Sequence, residues 1–362
     1  MKTYHLFQFG KGNIGGALIK QVVHRVNAMQ TQYGFHFEYV GVCGQSQAVY
    51  DQAGLNESLK QTDINQMLTN YPGHIAYPGS MAMLDTVLKN NPPNLCVIDT
   101  TSAEMTDVHL TCLRQGIPVI TANKKPISDD YSAYDEIQLL GRGPTFRYWY
   151  ETTAGAGLPV ISSIKELVDT GDIVLEIAGC LSGTLGYICS QLDTGCAFSD
   201  IVVEAQALGF TEPDPREDLN GMDVARKALI LAREIGYIVN MPDLHVDGMV
   251  SDTLLEAPSV DAFMALLSQE DEVYARRMVA AREQGQVLRY MATVKNGACQ
   301  VGLRSVPLDS PTGSLTGPDN IVVCTTARYK DNPLVIRGPG AGPEVTAGGL
   351  FGDLIKAARG IE

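Results

Sequence analysis

Residues 209–227 (GFTEPDPREDLNGMDVARK) crowd acidic side chains into a loop that ends at one lysine. The carboxylates of this segment belong to Glu212, Asp214, Glu217, Asp218 and Asp223. Because Lys227 follows Asp223 by four residues, a helix places both side chains on one face, where they can present an acid and an ammonium to one ligand. This pairing suits a zwitterionic small molecule. The alternative is an acidic surface loop followed by an ordinary helix with one solvated ion pair.

The element that positions this pair is a helix predicted to begin after Asn220-Gly221. Pro213 and Pro215 exclude a continuous helix through the acidic half of the segment. MDVARKALILARE, by contrast, has the apolar spacing of an amphipathic helix. We therefore predict a turn at Asn220-Gly221 and place Asp223 near the helix start.

The amino-terminal stretch YHLFQFGKGNIGGALIKQVVHRV predicts a strand, a glycine-rich turn and an amphipathic helix. Gly10, Gly12 and Gly15 fit the G-x-G-x-x-G pattern, in which a pyrophosphate approaches the free amides of a helix start. A turn of this kind without a ligand is the alternative. The next strand, FEYVGVC, is followed by Gly-Gln-Ser at residues 44–46. These residues supply neither an acid for a ribose nor an arginine for a 2′-phosphate, so NAD and NADP are not distinguished.

Two further buried strands are predicted in NLCVIDTTSA and IPVITANKKPIS, with a helix in MTDVHLTCLRQG between them. They continue a doubly wound parallel sheet of the Rossmann type, and the fold class is α/β. Thr101, Ser102, Asn123 and Lys124 follow these strands, at the edge where open α/β sheets bind ligands. A merely solvated lysine is the alternative for Lys124, and we expect Lys125 to be solvated.

The pattern changes after Trp149, which predicts a domain boundary near residue 150. We expect an NAD(P)-binding domain over residues 1–150, completed by residues 335–362, and an α+β second domain over residues 151–334. Alternating runs around Asn296-Gly297 predict a hairpin, and NIVVCTTARY and PLVIRG predict further strands of an antiparallel or mixed sheet. The glycine-rich turn in GPGAGPEVTAGG leads to a closing helix, which we expect to pack on the nucleotide domain.

Two loops of small residues are candidate binding elements. In ETTAGAGLP, accessible carbonyl oxygens and the Glu151 carboxylate can bind a hard cation, and a plain helix-entry loop is an equal alternative. In GCLSGTLGYI, Ser182, Gly183 and Thr184 lie at a strand-to-helix junction. Thr184 can cap that helix or contact a substrate.

Composition restricts the function further. The chain has 362 residues, enough for two cores, and a net charge of −14 without a basic stripe, so nucleic acid is not an expected partner. The first strand begins too close to Met1 for a signal peptide, and no apolar run reaches membrane-spanning length, so we expect a cytoplasmic protein. The eight cysteines form no Cys-x-x-Cys pair, and Cys43 and Cys96 lie in apolar runs. Reduced, buried thiols are expected, without disulfides or a zinc site.

Six segments, in chain order, resemble those of homoserine dehydrogenase of the short, fungal type without an ACT domain. These segments are FGKGNIGG, TANKKP, ETTAGAGLP, GCLSGTLGYI, LGFTEPDPREDLNGMDVARK and GPGAGPEVTAGG. The resemblance runs through nearly the whole chain, and the acidic segment is its most specific motif. It implies reversible, NAD- or NADP-dependent interconversion of L-homoserine and L-aspartate 4-semialdehyde in threonine and methionine biosynthesis. Threonine control through an ACT domain is not expected, because no regulatory tail follows the closing helix.

The resemblance also implies roles for individual residues. Lys227 is the proton donor when the aldehyde is reduced, and Lys124 matches a lysine near cofactor and substrate; two such lysines can lower each other's pKa. The implied substrate residues, together with those at the small-residue junction, are Glu212, Asp223, Asp218, Thr184 and Gly183. The implied cofactor residues are Gly10, Gly12, Asn13, Ile14, Gly15, Thr101, Lys124, Gly209 and Gly342.

A cation site and a homodimer follow from the same resemblance. The implied ligands are the Glu151 carboxylate and the carbonyls of Ala154, Ala156 and Leu158, and sodium is the expected ion. The family is dimeric through the sheet of the second domain, which implies a homodimer for this chain.

Two alternatives stay open. One is another amino-acid pathway dehydrogenase, such as a diaminopimelate dehydrogenase or an acylating semialdehyde dehydrogenase, and the acylating kind needs a nucleophilic cysteine with a histidine base. Cys180 is the best placed cysteine, and its context favours a buried structural thiol. The other alternative is a non-catalytic nucleotide sensor, which would need no paired proton-transfer groups.

Overall fold

The chain folds into two units in a computed structural model that describes residues 2–142 and 146–360. The first unit comprises Met1–Gly157 and Gly342–Glu362, and the second comprises Leu158–Ala341. No helix among the described residues is both long enough and apolar enough to cross a membrane.

Both units are built from strands and helices that alternate through much of the chain. The strands are β1 (Lys2–Phe9), β2 (Phe35–Cys43), β3 (Gln47–Tyr50), β4 (His74–Ala76), β5 (Leu95–Asp99), β6 (Val119–Thr121), β7 (Tyr148–Trp149), β8 (Val174–Cys180), β9 (His245–Val246), β10 (Gln286–Lys295), β11 (Ala298–Pro307), β12 (Asp319–Thr326) and β13 (Leu334–Pro339). The helices are α1 (Asn13–Tyr33), α2 (Asn56–Gln61), α3 (Ile64–Asn70), α4 (Ser80–Asn90), α5 (Thr106–Arg114), α6 (Lys125–Ser128), α7 (Tyr131–Gly141), α8 (Thr152–Gly155), α9 (Val160–Asp169), α10 (Gly183–Leu192), α11 (Phe198–Ala207), α12 (Arg216–Leu219), α13 (Met222–Glu234), α14 (Asp252–Leu255), α15 (Val260–Leu266), α16 (Asp271–Glu283) and α17 (Pro343–Gly360).

The first unit is built on a sheet with strand order β4-β3-β2-β1-β5-β6-β7. The strands from β2 to β7 in this order are parallel, which confirms the predicted Rossmann-type sheet. Its β3 and β4 edge is antiparallel, which the sequence pattern did not predict. The reason is a tight turn in which the Gly44 amide donates to the Gln47 carbonyl at 2.7 Å. A turn this short leaves no chain for a crossover, so β3 must run back along β2.

The closing helix α17 belongs to the core of the first unit. Its apolar face, which includes Leu350 and Leu354, joins the same buried cluster as Leu18 and Val22 of α1. The Tyr4 hydroxyl donates to the Ala358 carbonyl at 2.6 Å and ties the end of α17 to β1. The last segment of the chain is therefore part of the nucleotide-binding architecture.

The second unit is an α+β structure whose sheet has the order β13-β12-β8-β10-β11-β9. The predicted hairpin is confirmed, because β10 and β11 pair up to Lys295 and Ala298. Its two turn residues, Asn296 and Gly297, have φ values of 52° and 78°, as a type I′ turn requires. The assignment of residues 335–341 to the first domain differs from the structure, since β13 pairs along β12 within the second unit.

Candidate active site

The glycine-rich turn after β1 is shaped by two glycines that accept no side chain. Gly10 has a φ of 93°, in the left-handed region that favours glycine. A Cβ on Gly15 would lie 2.3 Å from the Gly10 carbonyl oxygen. Gly12 faces open space and caps α1 without a side-chain hydrogen bond. The first amides of α1, from Asn13 and Ile14 onward, therefore lack a side-chain cap, which is the arrangement that binds a phosphate.

A buried polar network underlies the carboxyl ends of β5 and β6. Asp99, with no exposed surface, accepts hydrogen bonds from the Thr101 amide at 2.8 Å and from Asn123 Nδ2 at 2.9 Å. His109 Nε2 lies 3.0 Å from the same carboxylate, and His109 Nδ1 lies 3.0 Å from the Tyr148 hydroxyl. An ionised carboxylate accepts all three N–H groups, so His109 donates through Nε2 and accepts from Tyr148 through Nδ1.

This network orders two of the predicted cofactor positions. Asp99 fixes the backbone of Thr101, and Asn123 also donates to the Ala103 carbonyl at 2.8 Å. Asn123 Oδ1 in turn accepts from the Lys125 amide at 3.1 Å, which brackets the peptide carrying Lys124. Sequence reasoning missed Asp99 as a positioning residue. The available signal was a carboxylate that ends an otherwise apolar strand, directly before a Thr-Thr-Ser turn.

Two other positions of the first unit behave differently. Lys125 forms an ion pair with Glu104 at 2.8 Å, and both side chains are substantially exposed. It is therefore a surface lysine, as expected. Gly342 has a φ of 125°, and its carbonyl accepts from both the amide and the hydroxyl of Thr346, at 3.0 and 2.9 Å. These bonds fix the entry into α17.

The predicted acid–lysine pair forms in the second unit. Helix α13 begins at Met222, after Gly221 with a φ of 76°, so the predicted turn and helix start are confirmed. Lys227 Nζ lies 2.7 Å from Asp223 Oδ2 and donates to the Leu181 carbonyl at 2.6 Å. The Lys227 side chain is only 11% exposed, whereas that of Asp223 is 47% exposed. The Asp223 carboxylate and the Leu181 carbonyl both accept hydrogen bonds from the Lys227 ammonium and fix its position beside the acidic segment.

Asp218 connects the acidic segment to the junction before α10. Asp218 Oδ2 accepts from the Glu212 amide at 2.8 Å, and Oδ1 lies 3.0 Å from the Thr184 hydroxyl. That hydroxyl also lies 2.5 Å from the Phe210 carbonyl oxygen. Burial is the main cause that raises the pKa of Asp218. The Thr184 hydroxyl thus has two acceptors within reach, the Phe210 carbonyl and Asp218 Oδ1, and its bond to Asp218 lowers the pKa of that carboxyl against the effect of burial.

The junction itself corrects one expectation. Ser182, and not Thr184, caps α10 by accepting from the Leu185 amide at 3.2 Å. Gly183 lies where a Cβ would come within 3.1 Å of the Pro318 carbonyl oxygen, and Gly209 has a left-handed φ of 73°. Thr184 is therefore committed to the acidic segment, because its hydroxyl spans the gap between α10 and that loop.

Two other acids of the segment do not join this arrangement. Asp214 pairs with Arg216 at 2.6 Å, and this bond is the main cause that lowers the pKa of Asp214. Arg216 also donates to the Ala257 carbonyl at 2.6 Å, so the pair anchors the loop. Glu217 is exposed, as is Glu212.

The predicted cation ligand Glu151 lies in a buried acidic environment. Its amide donates to Asp353 Oδ2 at 2.9 Å, and burial is the main cause that raises the pKa of Asp353 to about 6. Lys356 Nζ lies 3.7 Å from Glu151 and 3.2 Å from Asp353. Glu151 and Asp353 thus place two carboxylates beside the Lys356 ammonium. Ala154 is buried, Ala156 has a left-handed φ of 51°, and Leu158 opens the second unit.

Cys180, the cysteine that the sequence places best for nucleophilic catalysis, is a buried thiol. Cys43 and Cys96 are buried, as predicted. Burial raises the pKa of Cys180 to about 12, which disfavours the thiolate that an acylating dehydrogenase requires.

These features define a class of protein. The first unit carries a dinucleotide-binding turn on a Rossmann-type sheet, and the second carries a buried lysine beside an acidic segment. This combination is that of a two-domain NAD(P)-dependent oxidoreductase.

Comparisons with known proteins identify the family. The family model for homoserine dehydrogenase matches residues 159–355, and the model for the homoserine dehydrogenase NAD-binding domain matches residues 10–143. A homoserine dehydrogenase of Emericella nidulans is 40% identical over 284 residues, which cover 75% of this chain and 77% of that protein. The chain belongs to the homoserine dehydrogenase family.

Two further relatives extend the comparison. A chloroplastic bifunctional aspartokinase/homoserine dehydrogenase 2 of Zea mays is 40% identical over 354 residues, which cover 96% of this chain. The chain spans only 38% of the length of that relative. A crystal structure of a Candida auris protein of unknown function matches with a TM-score of 0.87 and 32% identity, over 99% of both chains.

Proposed function

We propose that the protein is a homoserine dehydrogenase that interconverts L-homoserine and L-aspartate 4-semialdehyde with NAD or NADP. The observation that carries this proposal is the buried Lys227, held by Asp223 and the Leu181 carbonyl at the end of the acidic segment. Family membership supports the reaction, and the lysine supplies the proton transfer that the reaction needs.

Lys227 is the proposed acid and base. When the aldehyde is reduced, its oxygen gains negative charge, and the Lys227 ammonium donates a proton to it. When the alcohol is oxidised, the neutral lysine accepts that proton. The nicotinamide supplies or accepts the hydride when it is bound. Lys124, which follows β6, is proposed to orient cofactor and substrate.

The substrate ammonium is proposed to bind carboxylates of the acidic segment. Glu212 and Asp223 are the acceptors, since charge-assisted hydrogen bonds to an ammonium are strong. Asp218 positions the Glu212 backbone, and Thr184 joins it to Gly183 and the start of α10. The second unit therefore carries the proposed substrate site.

The first unit is proposed to bind the cofactor. The pyrophosphate binds at the start of α1, and the other contacts come from the carboxyl ends of β5 and β6 and from the turn before α17. The proposed residues are Gly10, Gly12, Asn13, Ile14, Gly15, Thr101, Lys124, Gly209 and Gly342. Of these residues, Gly209 belongs to the second unit.

Three properties accompany this function in the proposal. A sodium ion binds Glu151 together with the carbonyls of Ala154, Ala156 and Leu158, and the negative charge around Asp353 supports a cation there. The protein forms a homodimer through the sheet of the second unit, where Leu175 and Val335 are 38% and 42% exposed. It acts in the cytoplasm.

Absorbance of the reduced nicotinamide tests the reaction directly. Purified protein is mixed with L-homoserine and either NAD or NADP, and the reverse reaction is followed with L-aspartate 4-semialdehyde. Turnover that is lost in Lys227→Ala supports the proposal. Cofactor binding by calorimetry without turnover in either direction would instead support a nucleotide sensor.

A further inference from the structure

The adenosine end of the predicted cofactor site lacks a selector for NAD. In Rossmann-type units an acid after the second strand binds the ribose hydroxyls of NAD and repels a 2′-phosphate. In this chain β2 is followed by the tight turn of residues 44–47, Gly-Gln-Ser-Gln, which contains no carboxylate. Gln45 and Ser46 are exposed in this turn and offer neutral hydrogen-bonding groups.

The side chain of Lys11 reaches the turn of residues 44–47. Lys11 lies within the glycine-rich turn after β1, and a Cβ on Gly44 would lie 3.3 Å from Lys11 Cε. The Lys11 side chain therefore packs over Gly44, and its ammonium donates a hydrogen bond to Asn65 Oδ1. Among the described residues, no carboxylate lies within ion-pair distance of Lys11.

The acid two residues before Asn65 is already engaged by Asn65 itself. Asp63 caps α3 by accepting from the Asn65 amide at 2.8 Å, and its carboxylate also accepts from Asn65 Nδ2 at 2.9 Å. The bond to the Asn65 backbone is the largest cause that lowers the pKa of Asp63, and Lys20 contributes as well. Asp63 is thus engaged by Asn65 and influenced by Lys20, whereas the partner of the Lys11 ammonium is the neutral amide oxygen of Asn65.

We infer that Lys11 binds the 2′-phosphate of NADP(H), and that the protein prefers NADP(H) to NAD(H). This inference rests on the proposed function, because it specifies the cofactor of that site. Lys11 exchanges a neutral amide oxygen for a phosphate oxygen, and a charge-assisted bond of this kind is the stronger of the two. The flexible side chain of Lys11 carries a compact ammonium, which can extend from the turn after β1 to the end of β2.

Calorimetric binding of NADPH and NADH tests the inference without relying on turnover. The wild type should bind NADPH at least about 10-fold more tightly, and Lys11→Met should weaken NADPH by about 10- to 100-fold while leaving NADH unchanged. Lys11→Arg should retain the preference. Lys89→Met, in the last turn of α4, is the matched control, and it should change neither affinity. Adenosine 2′,5′-bisphosphate and adenosine 5′-monophosphate should repeat the pattern.

The outcomes separate this inference from the proposed function. Equal affinity of the wild type for NADPH and NADH overturns the inference and leaves the proposed function standing. The same holds if Lys11→Met weakens both cofactors equally, since Lys11 would then act on the shared pyrophosphate. If neither cofactor binds the folded wild type, the proposed function fails together with the inference. Thermal unfolding of each variant establishes that the comparison is made on folded protein.

Discussion

The ligand edge of the Rossmann unit and the acidic segment of the second unit are assembled in opposite ways. The ligand edge is built from residues far apart in sequence. Thr101 follows β5, Lys124 follows β6, and Gly342 directly precedes α17. Asp218, Asp223 and Lys227, in contrast, come from one short stretch. The first set depends on strand order, and the second depends mainly on a turn and a helix.

The two regions also differ in burial. Asp99 and His109 have no exposed surface, and Asp99 bonds the residues that follow β5 and β6. In the acidic segment, Glu212 is exposed and the Asp223 side chain is 47% exposed. A buried, fully bonded network resists distortion, whereas exposed acids can adjust to a ligand. Substitutions in the buried network should therefore lower the stability of the fold, and substitutions in the acidic segment should weaken substrate binding.

Lys227→Ala should produce the largest change in the acidic segment. We expect turnover to fall by about 10²-fold or more, with cofactor affinity near wild type, because the proposed proton donor is lost. Steady-state rates and calorimetric cofactor binding measure the two effects. Lys165→Ala is a matched control, since Lys165 pairs with Asp169 four residues away on α9. Unchanged turnover in Lys227→Ala would remove this lysine from the mechanism.

Asp99→Asn should show how much the buried network contributes to stability. The asparagine side chain has one NH2 group, which would face one of the N–H groups that now donate to Asp99. We therefore expect a loss of roughly 2 kcal/mol in the free energy of unfolding. Cofactor affinity should weaken too, because Thr101 loses its anchor. Urea denaturation and cofactor calorimetry test this prediction, with the exposed Asp107→Asn as control. Full stability with normal affinity would show that the network is dispensable.

Asp223→Asn should separate substrate binding from folding. We expect the KM for homoserine to rise by about 10-fold, since one proposed charge partner of the substrate ammonium is lost while a hydrogen-bonding group stays. Stability should change little because the side chain is half exposed. The control Glu217→Gln neutralises another exposed acid of the same segment. The assignment of Asp223 is wrong if only cofactor binding changes.

Asp218 should give the smallest effect, visible as a pH dependence of stability. Its pKa is raised above the ordinary 3.8, so the folded protein binds this proton more tightly than the unfolded chain does. Its contribution to stability is therefore largest below pH 3.8 and is lost as the pH rises through the raised pKa. Urea denaturation should show wild type losing stability relative to Asp218→Asn over this range. A difference that stays flat or grows with pH contradicts the prediction.

Local patterns predicted much of this protein correctly. Three correct predictions depend on a few neighbouring residues each. They are the turn at Asn220-Gly221, the hairpin at Asn296-Gly297, and the unit formed by β1, the glycine-rich turn and α1. Other features escaped because they depend on distant partners. The role of Thr184 is decided by Phe210 and Asp218, and the place of β13 is decided by pairing with β12.

The sequence by itself determined the elements, the spacing of Asp223 and Lys227, and the types of residues available for chemistry. These follow from backbone geometry and side-chain chemistry over a few residues. Only the tertiary structure decided that Asp99 is a buried anchor, that Leu181 meets Lys227, and that Lys11 lies over Gly44. Such contacts join strands and helices far apart in the chain, and their energy arises only when packing removes those groups from water.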